Sequence, residues 1–194
     1  MTTERAVVSA GIACIGGIVV LIPGMPSFRL EHDFECSQET YWERVFFDEE
    51  YNRRLFHDEL HFPEWRELEK KDEGQKVLRY VRALPPLENL PGPLKAVIGE
   101  GAGYEERGVY DRTTHRYEAK VLPNRLADRV TVTLSMTTEP LGEHRSRRVV
   151  SGSVTARIFM VGPLLEQRMI SDLSRSYAKS AEFTNRFLSE KGWS

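Results

Sequence analysis

"VGPLLEQRMISDLSRSYAKSAEFTNRFLSEKGWS" (residues 161–194) decides the fold of this chain. Gly162 is an acceptable N-cap. Pro163 suits the first helical position, where its missing N–H costs nothing. The interior runs without Pro or Gly for roughly seven turns. Lys191 in the last turn and Gly192 just beyond it form the expected stop. Leu165, Met169, Leu173, Tyr177, Thr184 and Leu188 fall on one stripe, widened by Leu164, Phe183 and Phe187. A helix of this kind must bury that stripe to be stable. Met169, Ser176, Tyr177, Ser180 and Thr184 make the stripe soft and partly polar. That composition suits the roof of a pocket better than a close-packed core.

What precedes the helix must supply the surface it covers. "FRLEHDFEC" (28–36) alternates strictly, with Phe28, Leu30, His32, Phe34 and Cys36 on one face and charges on the other, the mark of a half-buried strand. His32 reads as a hydrogen-bonded residue of the core or cavity edge. Ser37 then caps a helical stretch (38–60) that breaks near Asp48 into two short pieces, with Tyr41, Trp42, Val45 and Phe46 at helical spacing.

From residue 61 onward the pattern is hairpins. "HFPEWRELEKKDEG" and "QKVLRYVRALPP" form an antiparallel pair turning at 72–74. Either phase of the second arm places one arginine, Arg79 or Arg82, among apolar side chains. It is read as a strand-end cation reaching water, with a polar group inside a cavity as the alternative. "PPLENLPGPLKAVIGEGAGY" (85–104) interrupts the sheet with a short apolar helix at residues 94–98, bracketed by prolines and glycines that let such a piece move. Two more hairpins follow, turning at 111–115 and near 140–143. In "RVTVTLSMTT" (129–138), Val130, Val132, Leu134 and Met136 face inward and the threonines outward. Gly152 marks a bulge or bend.

The order is strand, two short helices, antiparallel strands, one long helix. A curved antiparallel sheet that grips one helix leaves a space between them, either filled or kept as a pocket.

The totals agree with one ordinary domain plus an extension. The chain has 194 residues, 40% hydrophobic and 29% charged, with net charge -2. That balance gives no basic field for nucleic acid. Cys14 and Cys36 have no metal-ligand spacing and read as unrelated buried thiols, which fits a reducing, cytoplasmic setting. Residues 1–25 stand apart from 26–194. "AVVSAGIACIGGIVVLIPG" (6–24) carries no charge. It is barely long enough for about 30 Å of hydrocarbon, and it lacks a small-x-small cleavage site. A membrane anchor, a signal peptide and an upstream extension with Met25 as the true start all remain open. Residues 6–22 are where membrane association would occur.

At fold level the chain resembles the START-like, helix-grip superfamily, which also holds Bet v 1 allergens and polyketide cyclases. "FRLEHDFECSQETYWERV" resembles its opening strand and helix start. "GSVTARIFMVGPLLEQRMISDLSRSYAKSAEFTNRFL" resembles its last strand and closing helix, as found in an uncharacterised bacterial branch. The stretch 79–124 is also similar in layout to PRELI-type phospholipid carriers, in which a short helix and loop lie over the cavity mouth. The resemblance covers residues 28–193. It implies an α+β helix-grip fold, with about seven strands wrapped around the C-terminal helix. This superfold hosts lipid transfer, hormone sensing and enzymes, so it implies no single activity.

The leading functional expectation is therefore a binder or carrier of a lipid or other hydrophobic small molecule rather than an enzyme. Its walls would come from Trp65 and Tyr80 on the first hairpin, Tyr104, Tyr110 and Tyr117 on the second, and Val132 and Leu134 on the third. Leu94, Val97 and Ile98 would form the gate, and Met169, Leu173, Tyr177 and Thr184 the roof. Lys95, Arg145, Arg147 and Arg148 read as solvated surface charge, with an anionic headgroup or membrane surface as the other use. The alternative is a cyclase, dehydratase or hydrolase in the same cavity. It would use His32, Tyr80, Arg79 or Arg82, and Glu106, the last in phase with Tyr104 and Tyr110. Glu106 is expected to face water on an edge strand, an outcome that would sink this version. A third expectation is a ligand-free structural module with a filled interior. No nucleophile motif, phosphate loop or metal-ligand cluster is present, so no cofactor, metal or catalytic residue is assigned. The sequence does not give the oligomeric state.

Overall fold

A computed structural model describes the backbone of residues 9–15 and 18–194, and side chains from Ser27 onward. The strands are β1 (Ser9–Ile15), β2 (Ile18–Phe34), β3 (Glu64–Asp72), β4 (Lys76–Leu84), β5 (Tyr104–Asp111), β6 (Arg116–Pro123), β7 (Val130–Gly142) and β8 (Arg145–Ala156). They form one sheet in the order β1-β2-β8-β7-β6-β5-β4-β3, and every neighbouring pair is antiparallel. The seven strands from β2 to β8 are the curved sheet expected from the sequence. β1 adds an edge strand.

The opening strand starts earlier than expected. β2 begins at Ile18, not Phe28, and its first part pairs with β1. Within that apolar segment the described backbone of β1 and the first part of β2 pair antiparallel. Residues 1–8 and 16–17 of that segment, and the Cys14 side chain, lie outside what is described. Among the described residues no helix is long and apolar enough to cross a membrane.

Two short helices link β2 to β3. α1 (Gln38–Thr40) runs on into wider π-helical turns at Tyr41–Phe46, and α2 (Glu49–Arg53) into another set at Arg54–Glu59. Ser37 Oγ caps the first by accepting from the Thr40 N–H at 3.2 Å. Asp48 ends the first piece and caps the second, accepting from the Tyr51 N–H at 2.7 Å. The break at Asp48 turns the aromatic side chains of both pieces onto the sheet. Trp42 stacks on Tyr110 with centroids 4.3 Å apart, and its indole N–H donates to Thr138 Oγ1 at 2.8 Å.

The chain then passes through α3 (Gly92–Ile98) and the remaining hairpins to α4 (Gly162–Lys191). The helix begins at Gly162, with Val161 rather than Gly162 in the capping position. Gly192 ends it at φ 67°, where its N–H bonds back to Leu188 and Ser189. Gly152 makes no bulge, for both β2–β8 and β7–β8 keep register through it. It permits close approach instead. A side-chain carbon there would stand 2.1 Å from Thr133 O and 2.9 Å from the Phe28 ring. The last turn also lies later than expected, because Pro140 pairs with Ser146 and the chain reverses at Glu143 and His144.

Candidate functional site

The concave face of the sheet and the first half of α4 enclose a cavity of about 490 Å³. The α2 segment closes one side and the loop before β5 the other.

Of the sequence-predicted lining, Trp65, Ile98, Tyr104, Tyr117, Val132, Leu134, Met169, Leu173 and Tyr177 meet around this space. The other five lie elsewhere. Tyr80 is on the outer face of β4, under the Arg107 guanidinium at 5.1 Å. Tyr110 is packed against Trp42. Leu94 is fully buried in the packing of α3, and Val97 beside it does not reach the cavity. Thr184 lies deep in the helix interface. Tyr51 Oη donates to its Oγ1 at 2.7 Å, and Oγ1 in turn donates to Ser180 O at 2.7 Å.

The structure settles which arginine of β4 turns inward. Val77, Arg79, Val81 and Ala83 share the buried face, while Arg82 pairs outside with Glu105 at 3.0 Å. Arg79 is not a strand-end cation reaching water. It donates to Phe46 O (3.2 Å) and to Asn52 Oδ1 (3.4 Å), and its guanidinium lies over the rings of Phe46 (4.8 Å) and Trp65 (5.3 Å). Glu67 Oε2 is its counter-ion, 3.3 Å from Nε.

Glu106 also departs from expectation. β5 lies between β4 and β6, so it is no edge strand, and Glu106 lines the cavity. Tyr117 Oη donates to Glu106 Oε1 at 2.6 Å. That tyrosine crosses β5 over Gly108, where any side-chain carbon would stand 1.8 Å from its hydroxyl. Burial first, then the Glu106 charge, holds the Tyr117 phenol well above its ordinary pKa. Burial likewise raises Tyr104 and Tyr177. Both hydroxyls belong to residues that line the cavity, and neither makes a hydrogen bond among the described residues.

Arg148 is the largest miss. It reads as surface charge in the run Arg145–Arg148, yet it is 2% exposed beneath α4. Its Nη1 donates to Ser180 Oγ (3.1 Å) and Tyr41 Oη (3.5 Å), and its Nη2 to Tyr177 O (3.1 Å) and His32 Nδ1 (3.3 Å). The guanidinium also lies 5.0 Å from the ring centroids of Phe34 and Tyr177. Burial, reinforced by the Arg148 charge, lowers the His32 pKa to about 3, so its imidazole is neutral and accepts from the arginine. The neighbouring arginines do stay outside. Arg147 grips Asp33 with two bonds (2.6 and 3.0 Å), and Arg145 pairs with Glu35 at 3.2 Å. A signal was available: Arg148 shares the alternation of β8 with Ser146, Val150 and Val154, all buried. Among the described residues no cluster of side chains is suited to hold a metal ion.

A curved antiparallel sheet gripping a long closing helix over a cavity is the helix-grip fold. Solved structures share that fold. The Zhui aromatase/cyclase from Streptomyces sp. R1128 superposes with a TM-score of 0.61 at 12% identity, covering 86% of this chain and 95% of that one. Norcoclaurine synthase from Thalictrum flavum, solved with dopamine and hydroxybenzaldehyde, gives 0.56 at 14%, covering 86% and 87%. A START superfamily protein from Mycobacterium smegmatis gives 0.51 at 13%, covering 80% and 97%. Identities this low establish the fold alone. A family model described as "Protein of unknown function (DUF2505)" matches residues 29–188, and the chain belongs to that family. No curated protein matches the chain.

Proposed function

We propose that residues 26–194 bind, and pass on, a lipid or other hydrophobic small molecule held between the sheet and α4. The observation that carries this reading is the cavity itself. At about 490 Å³ it falls in the range of about 300–1,000 Å³ usual for small-molecule sites. Its wall is mostly apolar and includes the deformable Met136 and Met169. Each methylene removed from water contributes about 0.8 kcal/mol, so a chain of a dozen carbons contributes about 10 kcal/mol, comparable with the cost of association. The synthase solved with dopamine and hydroxybenzaldehyde is in keeping with a small organic occupant. Native mass spectrometry and organic extraction of the purified chain test the reading. A co-purifying apolar molecule is expected. An empty protein that takes up nothing from a lipid panel would overturn it.

A second reading has its own observation. Glu106 faces the cavity with Tyr117 on one oxygen, which is how a carboxylate is held for acid–base work on a bound molecule in a cyclase, dehydratase or hydrolase. If Glu106→Gln leaves both the affinity for the co-purified molecule and its chemical fate unchanged, this second reading fails.

Contact with a membrane surface belongs to the same proposal. Phe159 and Met160 stand 90% and 83% exposed at the corner between β8 and α4. Ala156 pairs with Val130, so this corner lies at the end of the sheet where Leu126 and Val130 line the cavity. Large apolar side chains at such a place suit insertion among lipids.

A further inference from the structure

Charge and hydrogen bonding inside the cavity are unequal from end to end, and the imbalance bears on what the occupant carries. Arg79 has Glu67 as its counter-ion. Arg168 and Arg175, at the rim, share Asp172. Arg148 has no such partner. Its four hydrogen bonds all go to neutral acceptors, namely a phenol, a hydroxyl, a carbonyl and an imidazole kept neutral by burial. Its Nε is buried with no acceptor at all. Glu106, the inward carboxylate of β5, is three strands away in the sheet order. Among the described residues Glu106 and Arg148 form no ion pair, and the Tyr177 phenol feels both charges, that of Arg148 more strongly. A buried charge without a counter-charge is strongly unfavourable, and folded proteins rarely leave one.

The donors around Arg148 point the same way. Tyr177 lies against its guanidinium and lines the cavity, and the Tyr177 hydroxyl has no acceptor among the described residues. Hydrogen-bond donors without acceptors, beside a cation without an anion, form a site complementary to oxygen atoms bearing negative charge.

Resting on the small-molecule reading above, we infer that the occupant carries an oxyanion, a carboxylate or a phosphate, seated at the Arg148–Tyr177 end of the cavity. The apolar body of the molecule then runs along β7 and α4 past Leu134, Met169 and Leu173. The anion completes the charge balance that the protein alone leaves open.

Isothermal titration of the full chain with dodecanoate, dodecyl phosphate and dodecanol tests this. The three probes share one chain and differ at the head. At least one acid is expected to bind about tenfold more tightly than dodecanol. Which acid is preferred tells a carboxylate occupant from a phosphate one. Arg148→Met should abolish the preference while dodecanol affinity stays within about twofold, and Arg148→Lys should restore much of it. Tyr177→Phe, which keeps the ring and removes the donor, should lower acid affinity alone. The wild-type comparison stands even where Arg148→Met folds poorly. Equal binding of acids and dodecanol, or a preference that survives Arg148→Met, would overturn the inference and leave the cavity reading intact. Failure of all three probes to bind would overturn both.

Discussion

In the second half of α4, Ser180, Phe183, Thr184, Phe187 and Leu188 are all buried; between residues 166 and 179 only Ile170 is. The later half rests on the α2 segment, where Tyr51 stacks on Phe183 at 5.4 Å and meets Phe187 edge-on at 5.3 Å. The earlier half has no helix beneath it. It faces the sheet across the cavity, and Met169, Leu173, Ser176 and Tyr177 line that space. One continuous amphipathic stripe therefore does two things. Where the α2 segment and the end of β2 back it, it packs; where they do not, it roofs a hollow. Arg148 sits at the junction, bonded to Tyr177 on one side and Ser180 on the other.

The contrast is sharpest in stability. Phe183→Ala should cost about 3–5 kcal/mol, the range for truncating a buried aromatic, while Leu173→Ala should cost well under half of that because Leu173 already borders empty space. Urea denaturation of both variants checks this, and equal losses would break the division. Acid should act at the junction. The unfolded chain takes up a proton on His32 near pH 6.5, whereas the folded chain refuses it until about pH 3. Stability should therefore fall as pH drops through that window, by up to about 1.4 kcal/mol per unit. Denaturation midpoints at pH 7 and 5 should converge in His32→Asn, and an undiminished slope would remove His32 as the cause. Polar groups of the two halves should differ as well. Thr184→Val leaves the Tyr51 hydroxyl without its acceptor and should cost about 1–3 kcal/mol. Ser176→Ala on the cavity wall should stay within about 0.5 kcal/mol. The smallest stability change belongs to the exposed corner. Phe159→Ser with Met160→Ser should leave the melting curve in place yet reduce sedimentation with phosphatidylglycerol vesicles. Unchanged sedimentation would remove the corner from membrane contact.

Much of this was legible in local pattern. The strict alternation of residues 28–36, the inward Val130 to Met136 series and the uninterrupted final helix carry the architecture, because period and capping are local properties. The parts that were not legible depend on partners far away in the chain. Both phases of β4 mix types, and Phe46 O and Asn52, about thirty residues earlier, act with Glu67 to select Arg79 over Arg82. Glu106 looks like an edge residue until the strand order puts β5 between two neighbours. Thr184 fits a cavity stripe by spacing, but the α2 segment occupies the space beneath it. Arg148 is the exception: its alternation with Ser146, Val150 and Val154 places it inward, although the groups it bonds are far away in the chain.

Gly108 has a consequence for how this chain can change. The phenol of Tyr117 lies where any side chain at 108 would have to go. An alanine there would push the ring aside and free the Glu106 oxygen that it occupies. The position with no side chain therefore decides whether the cavity presents a capped carboxylate or a bare one. Drift at this one codon would alter the wall's chemistry without touching a residue that a bound molecule meets.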